Sequence, residues 1–339
     1  MAEKIRVALL ATHPIQYQIP WFQRLAEQPE LDFKVFFGLL PDAVQQGVGF
    51  GVGFQWDIPM LDGYAWELLH NAARKPSLGQ FNGCDTPEIG RVLRQWGPAA
   101  VILTGWHSRM LVQAWWASLR LGIPRIVRGE SNDLAPRPVW KKRAHRLWLR
   151  GFQQFLAIGQ ANRRFYRVAG VPEARIHDCP YFIDNQRFAA AAVQFSQQRN
   201  ALRQAWGIPA DVPCFLFSGK LIPKKHPLDL LRALSLAIQQ GAKAHVLVAG
   251  SGELMDQARA LVERQRLPVT FAGFLNQSEL VRAYIAADCL VLPSDYGETW
   301  GLVVNEAMAC GLPAIVSDQV GCGPDLVRTG ETGAVFPMG

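Results

Sequence analysis

The sequence predicts an α/β protein made of two doubly wound, Rossmann-like domains, and three observations lead there. Short apolar runs recur along the chain, each followed by a polar or glycine-containing loop and then a helix-prone stretch. That order is the signature of a parallel sheet with crossover helices. The pattern starts twice, at residues 4–11 and again at residues 214–219, and 339 residues suffice for two cores of ordinary size.

Residues 4–11 read as a first strand. They lead through Thr12, His13 and Pro14 into a helix carrying Trp21, Phe22 and Leu25. No G-x-G-x-x-G follows, so the ordinary dinucleotide fingerprint is missing. Residues 47–54 repeat Gly-Val-Gly-Phe in tandem. Alternating glycines exclude a stable helix and predict a flexible loop. Two readings stay open for it: a loop that orders over an acceptor, or a surface loop without a role. Residues 99–107 form a buried strand ending near His107, and a helix over residues 110–121 stops at Gly122-Ile123-Pro124. Residues 125–128 are the next strand and deliver Gly129, Glu130, Ser131 and Asn132 to its carboxyl end. Ligands of open α/β sheets bind at such ends, which makes these loops candidate sites.

Residues 137–150 hold six Lys/Arg and two Trp at helical spacing. Such a stretch suits an anionic membrane surface, and equally a scaffold helix with one solvated face. Nucleic acid is a weaker reading, because no recognised nucleic-acid motif accompanies the run. A strand at residues 155–158, a polar helix over residues 160–169 and the segment 176–184 complete the first half, with a domain boundary near Phe182.

In the second half, residues 214–219 form a strand that runs into Lys220, Lys224 and Lys225 before a helix from Leu228. Lys220 and Lys225, around one strand-to-helix turn, can converge on a diphosphate, whereas Lys224 reads as a solvated turn residue. Strands at residues 244–249 and 269–273 repeat the theme, the first with Gly250 and Gly252 in its loop and the second with Phe274. Residues 289–292 are a strand, followed by a polar loop and a helix that stops at Gly311. This sets backbone N–H groups and a helix dipole at a sheet's carboxyl edge, a place suited to phosphate. Glu298 lies in that loop and Glu306 in the second helical turn, so both can border one pocket and accept hydrogen bonds from sugar hydroxyls. The plainer reading makes Glu298 a solvated loop residue and Glu306 a charge complementing the helix dipole.

Composition narrows the class. No apolar run reaches the roughly 18–20 residues that span a bilayer, and the first residues lack a signal-peptide pattern. Six cysteines without a C-x-x-C pair read as reduced thiols, as in a cytoplasmic protein. The net charge of +7 is uneven: residues 1–182 hold 22 Lys/Arg against 14 Asp/Glu, and residues 183–339 hold 13 against 14. A basic first half suggests an anionic partner or surface there.

Pro293-Ser294, Gly297-Glu298, Trp300-Gly301-Leu302, the run from Glu306 to Pro313 and the strand at residues 314–317 together resemble the signature of family 4 retaining glycosyltransferases. His13-Pro14-Ile15-Gln16-Tyr17 is similar to the opening of a bacterial subgroup. The resemblance covers most of the chain after Pro213. It implies the GT-B fold, with an acceptor-side domain at residues 1–182 facing, across a cleft, a nucleotide-sugar domain at residues 183–339. It further implies metal-independent sugar transfer from a nucleoside-diphosphate sugar to a glycan or lipid-linked acceptor, in surface polysaccharide or glycolipid assembly. The setting would be cytoplasmic, peripheral at the inner face of the plasma membrane. No D-x-D occurs in the chain, and neither metal nor cofactor is expected.

The resemblance also assigns roles. Lys220 and Lys225 neutralise the departing diphosphate, Glu298 binds donor-sugar hydroxyls and Glu306 binds the ribose. Gly250, Gly252, Phe274, Trp300, Gly301 and Leu302 line the nucleotide pocket. His13, Gln16, His107 and Asn132 belong to the acceptor side. There are three departures. Glu130 stands where many members have a His, leaving it to bind a sugar hydroxyl or act on the acceptor. Lys220 stands where Arg is more usual, and the chain stops where the family continues with further helices. The alternative reading is a nucleotide-sugar-binding or scaffold subunit without turnover. A GT-B epimerase or phosphorylase has no clear signature here.

Overall fold

The structure is a computed structural model and describes residues 3–338. The chain divides into two compact units, Met1–Gln45 with Pro59–Tyr181 and Gln46–Ile58 with Phe182–Gly339. It therefore passes between them at residues 45/46, 58/59 and 181/182. The Gly-Val-Gly-Phe repeat, expected within the first domain, belongs to the second unit in space.

Among the described residues the first unit holds a seven-stranded parallel sheet. Its strands are β1 (Ile5–Ala11), β2 (Leu31–Phe37), β3 (Ala65–Leu68), β4 (Ala100–Leu103), β5 (Arg125–Val127), β6 (Gln154–Ala157) and β7 (Ile176–Asp178). The order is β3-β2-β1-β4-β5-β6-β7. β1 is central because its last four residues are apolar on both faces and fully buried. It pairs in parallel with β2 from Ile5↔Leu31 and with β4 from Val7↔Ala100. Helices cover both faces, and Leu10, Phe36, Leu93, Leu103, Met110, Phe155 and Tyr166 share one core.

The second unit repeats the plan with six parallel strands: β8 (Cys214–Ser218), β9 (His245–Ala249), β10 (Val269–Gly273), β11 (Cys289–Leu292), β12 (Ala314–Ser317) and β13 (Gly333–Phe336). Their order is β10-β9-β8-β11-β12-β13. Phe217, Leu231, Leu234, Val246, Val248 and Leu261 pack between strands and helices on one face. Asp288 fixes the junction of β8 and β11. Its carboxylate accepts from the Cys214 N–H at 2.8 Å and pairs with the buried Arg203 guanidinium at 3.1 Å. All six cysteines are free thiols.

In both sheets the strand order reverses once, between β1 and β4 and between β8 and β11. Loops leaving those two strands diverge to opposite faces and open a crevice at their carboxyl ends, where ligands of such sheets bind. His13 and His107 follow β1 and β4; Lys220 and Glu298 follow β8 and β11.

Candidate functional site

The crevice of the second unit is built on the loop after β8. Gly219 N donates to Ala249 O at 2.9 Å, Leu221 N to Ser251 O at 2.9 Å, and Leu254 N to Leu221 O at 3.0 Å. The two glycine-bearing loops are thus laced together by backbone. Gly250 has φ +147°, and a Cβ there would lie 1.9 Å from Gly219 O. The glycine is needed for this close approach, which sets the position of Lys220. The expectation for Gly250 and Gly252 was a backbone lining for a nucleotide; what the geometry displays is a buttress for the lysine loop.

A short 3-10 turn, Pro223–Lys225, and the helix Pro227–Gln239 follow. Lys225 Nζ lies 2.5 Å from Glu298 Oε2, and both side chains are only 13% exposed. Ser294 Oγ donates to the same oxygen at 3.3 Å. Burial pushes the Glu298 carboxyl up, and the ammonium of Lys225, aided by Lys224, outweighs it and holds the group below its usual range. Glu298 is therefore neither solvated nor free, against the plainer sequence reading.

Lys224 is exposed in the turn, as the sequence led one to expect. Its ammonium donates to Gly297 O at 3.1 Å and its carbonyl accepts from Asp295 N at 2.9 Å, which ties the turn to the loop after β11. Lys220 donates to Val48 O at 2.7 Å and lies 5.0 Å from the Phe50 ring centroid. Burial, then the charges of Lys224 and Lys225, lower its pKa. Lys220 and Lys224 thus hold carbonyls, not carboxylates, and the crevice keeps positive charge for an anion.

On its far side Gly301, at φ +101°, opens the helix Leu302–Ala309. A Cβ at Gly301 would come within 2.9 Å of Leu292 Cδ2. Val304 N donates to Gly301 O at 2.9 Å, and the N–H groups of Leu302 and Val303 begin the first turn without intrahelical acceptors. Trp300 is buried, and its indole N–H donates to Asn305 Oδ1 at 2.8 Å. Glu306, in the second turn, is fully buried. Its carboxylate accepts from Gln277 Nε2 at 3.2 Å and Tyr284 OH at 2.6 Å, so it is not the exposed dipole charge of the plainer reading. Phe274, just beyond β10, is covered by Phe54 (centroids 4.3 Å apart, 35° between planes) and by Phe50 (5.0 Å, 75°).

In the first unit the loops after β1, β4 and β5 bring together His13, His107 and Glu130. The His13 Nδ1 sits 2.9 Å from Thr12 Oγ1. Burial, with His107 nearby, lowers its pKa to about 4, so its imidazole is neutral at pH 7. Burial lowers His107 too, and the Glu130 carboxylate opposes that. Tyr181 OH donates to Glu130 Oε1, and the Arg128 guanidinium lies 4.5 Å from the Trp21 ring and 4.3 Å from that of Tyr181. The sequence reading missed Arg128, Tyr181 and Trp21, because a cation held between two rings has no local spacing signal. Gln16 lies in the half-buried turn before the helix Ile19–Ala26. Asn132 is buried and shapes its own loop: its Oδ1 accepts from Leu134 N at 3.2 Å and its carbonyl accepts from Arg137.

The basic stretch forms the helix Val139–Leu149, with Val139, Trp140 and Leu147 about two-thirds exposed. Arg137, Lys142, Arg143 and Arg146 line an adjacent groove of about 400 Å³. Among the described residues no helix is long and apolar enough to cross a membrane, and no three His, Cys, Asp or Glu side chains group to hold a metal ion.

Residues 198–339 match the family model described as glycosyl transferases group 1. Over 235 residues the chain is 31% identical to a GDP-mannose-dependent alpha-mannosyltransferase of Mycobacterium tuberculosis, a match covering 66% of this chain and 56% of that protein. Over 147 residues it is 40% identical to the D-inositol 3-phosphate glycosyltransferase of Mycolicibacterium smegmatis, covering 40% of this chain and 32% of that one. The chain thus spans about half or less of the length of these relatives. Among solved structures, Anabaena HepE in complex with UDP and glucose has a TM-score of 0.68 at 17% identity, covering 98% of this chain and 86% of that one. Sucrose-phosphate synthase of Thermosynechococcus elongatus has a TM-score of 0.67 at 20% identity, covering 99% and 86%. The fold is GT-B, two Rossmann-like α/β domains, as the sequence led one to expect.

Proposed function

We propose that this chain is a glycosyltransferase that moves a sugar from a nucleoside-diphosphate sugar to an acceptor hydroxyl. The observation that carries the reading is the cation-rich crevice where β8 and β11 part: the Lys225–Glu298 pair, Lys220, and the open first turn of the helix Leu302–Ala309. Breaking the anomeric C–O bond puts positive charge on the sugar and negative charge on the diphosphate. Ammonium groups and fixed N–H donors stabilise the second of these. Lys225 is drawn toward the leaving diphosphate, and Glu298, positioned by Ser294, then accepts hydrogen bonds from the donor sugar. Glu306 serves the ribose. As the resemblance to retaining family 4 members implies, the acceptor attacks on the face the diphosphate leaves, assisted by the leaving phosphate. That route retains configuration and needs no carboxylate nucleophile, and we read it as metal-independent.

The names of the relatives point to GDP-mannose, and Anabaena HepE, which is also seen in complex with UDP-glucose, to that sugar nucleotide as first donors to try. We expect one of them to release its nucleoside diphosphate on incubation with the protein and a glycan or lipid-linked acceptor, with undiminished rate in EDTA. Tight binding without release would favour the binding-subunit reading, strict dependence on a divalent ion would refute metal independence, and no binding of any sugar nucleotide would sink the assignment.

His13, His107 and Glu130 would serve the acceptor hydroxyl in the first unit, and the helix Val139–Leu149 would hold that unit to anionic lipid at the inner face of the membrane. Its exposed Trp140 and Leu147 can bury apolar area while Arg137, Lys142, Arg143 and Arg146 meet headgroups, each basic contact contributing about 1 kcal/mol. Sedimentation with phosphatidylglycerol vesicles should therefore bring down the protein, and W140A/L147A should reduce the bound fraction several-fold. Equal binding to neutral vesicles would count against the headgroup contacts.

A further inference from the structure

The Gly-Val-Gly-Phe repeat leaves the first unit after Gln45 and returns to it at Pro59, and the segment between packs on the second. It has a foot and a tip. The foot is polar: Asn276 Nδ2 donates to Gln55 O at 2.7 Å, and the Asp57 carboxylate accepts from the Ser278 N–H at 3.2 Å and from its hydroxyl. Asp57 thereby sits at the amino end of the helix Gln277–Ala286, where a negative charge is favoured.

The tip is a compact turn, with Phe50 N and Gly51 N both donating to Gly47 O at 2.9 and 3.2 Å. Among the described residues its one hydrogen bond to the rest of the second unit comes from Lys220 Nζ to Val48 O. Its other attachments are rings. The repeat gives Phe50 and Phe54, both of which meet Phe274, and Phe50 also meets the Lys220 ammonium. One short turn therefore occupies the partner of a phosphate-site lysine and a face of the aromatic ring beside the pocket. On the donor-site reading, the Val48 carbonyl takes the lysine contact that an anionic oxygen would take, and the tilted Phe54 ring covers a face of Phe274 that a flat base could use.

We propose that residues 47–54 are an internal cover that holds the nucleotide's place while the site is empty, so that a nucleoside diphosphate must lift the tip to reach Lys220 and Phe274. This rests on the donor site proposed above. The Lys220 ammonium already makes a charge-assisted bond to the Val48 carbonyl, and a phosphate oxygen adds a full opposite charge to that contact. The anion therefore wins the ammonium, and the tip, left with ring contacts alone, swings on the glycines at 47, 49, 51 and 53 while the foot stays docked. Apparent affinity for nucleotide is then the intrinsic affinity reduced by the fraction of uncovered protein.

The test is calorimetric titration of the full chain with GDP and with UDP, wild type against Phe54→Ala, with circular dichroism as a check on folding. Loss of the Phe54–Phe274 ring contact should uncover the site and tighten nucleoside diphosphate binding about threefold to tenfold. Gly49→Ala is a second route to the same result, because Gly49 has φ +86° and a Cβ there would lie 2.9 Å from Lys220 Cδ, while both rings are kept. Hydrogen exchange gives an independent readout: the Phe50 and Gly51 amides should lose protection when nucleotide is added to wild type. Unchanged or weaker binding in both variants, or increased protection of those amides, overturns the cover and leaves the donor site standing. If neither nucleotide binds any of the three proteins, the donor site itself falls and the cover with it.

Discussion

Lys225→Ala is expected to lower turnover roughly 100–1000-fold, the usual loss when one fixed stabiliser of developing charge is removed. The effect has two parts that experiment can separate. Lys225 is the cation paired with Glu298 in the interior, and breaking such a pair from one side costs about 3–5 kcal/mol of stability because the other charge stays buried. The double variant Lys225→Met/Glu298→Gln should recover most of that stability while turnover stays low. Recovery of turnover in the double variant, or an undiminished rate in the single one, would remove Lys225 from the chemistry.

The acid limb of stability supplies a second readout. The Glu298 carboxyl is held below its unfolded value, so its contribution is complete above the ordinary carboxylate range and is lost as pH falls through the lowered one. Without Lys225, burial is opposed only by Lys224 and the Ser294 hydroxyl, and the group rises. The stability deficit of Lys225→Ala should then shrink as pH falls through the carboxylate range, because protonation relieves the buried charge in the variant. Thermal melts of variant and wild type should converge in acid.

Gly250→Ala should be the most damaging small substitution in the second unit, costing about 2–5 kcal/mol in urea unfolding. Strain at φ +147° is one part, and a methyl carbon placed 1.9 Å from Gly219 O is the other, which only backbone movement can relieve. That movement shifts the loop bearing Lys220, so nucleotide affinity should fall along with stability. Gly311→Ala offers the contrast. Gly311 has φ +78° with open space where the Cβ would go, and only the strain of about 1 kcal/mol applies. Similar losses at the two positions would mean that the close approach to Gly219 O does not govern the lysine loop.

Much of the architecture was legible because burial on both faces writes itself as unbroken apolar runs. β1, β4, β8, β9 and β11 are of this kind, and they include the strand pairs at which each sheet reverses. The edge strands of the first sheet were not legible, whereas β10, at an edge of the second, was. All four residues of β3 are exposed, and β7 is three residues long with two exposed, so neither carries a pattern that separates it from loop. β2 was missed as well, although its last three residues are buried.

At the site, residue types were readable and partnerships were not. Lys225 and Glu298 each invite a role, but nothing along the chain says that they meet over 73 residues. Lys224 is the exposed turn residue it was read as, but its carbonyl partner on the loop after β11 could not be seen along the chain for the same reason. The repeat misled most. Glycine at every second place removes the side chains that would have marked a face, and the surface it covers is more than 200 residues away.

Because the chain leaves the first unit for a dozen residues and then goes back, sequence boundary and spatial boundary do not coincide. A chimera that exchanges halves at Phe182 would join a carboxyl-terminal half to whatever stretch its new companion carries in place of residues 46–58. Asn276, Ser278, Phe274 and Lys220 would then face a foreign peptide or water. Donor preference transplanted by such an exchange would reflect both parents, and a faithful transplant has to carry this short piece along with the half it rests on.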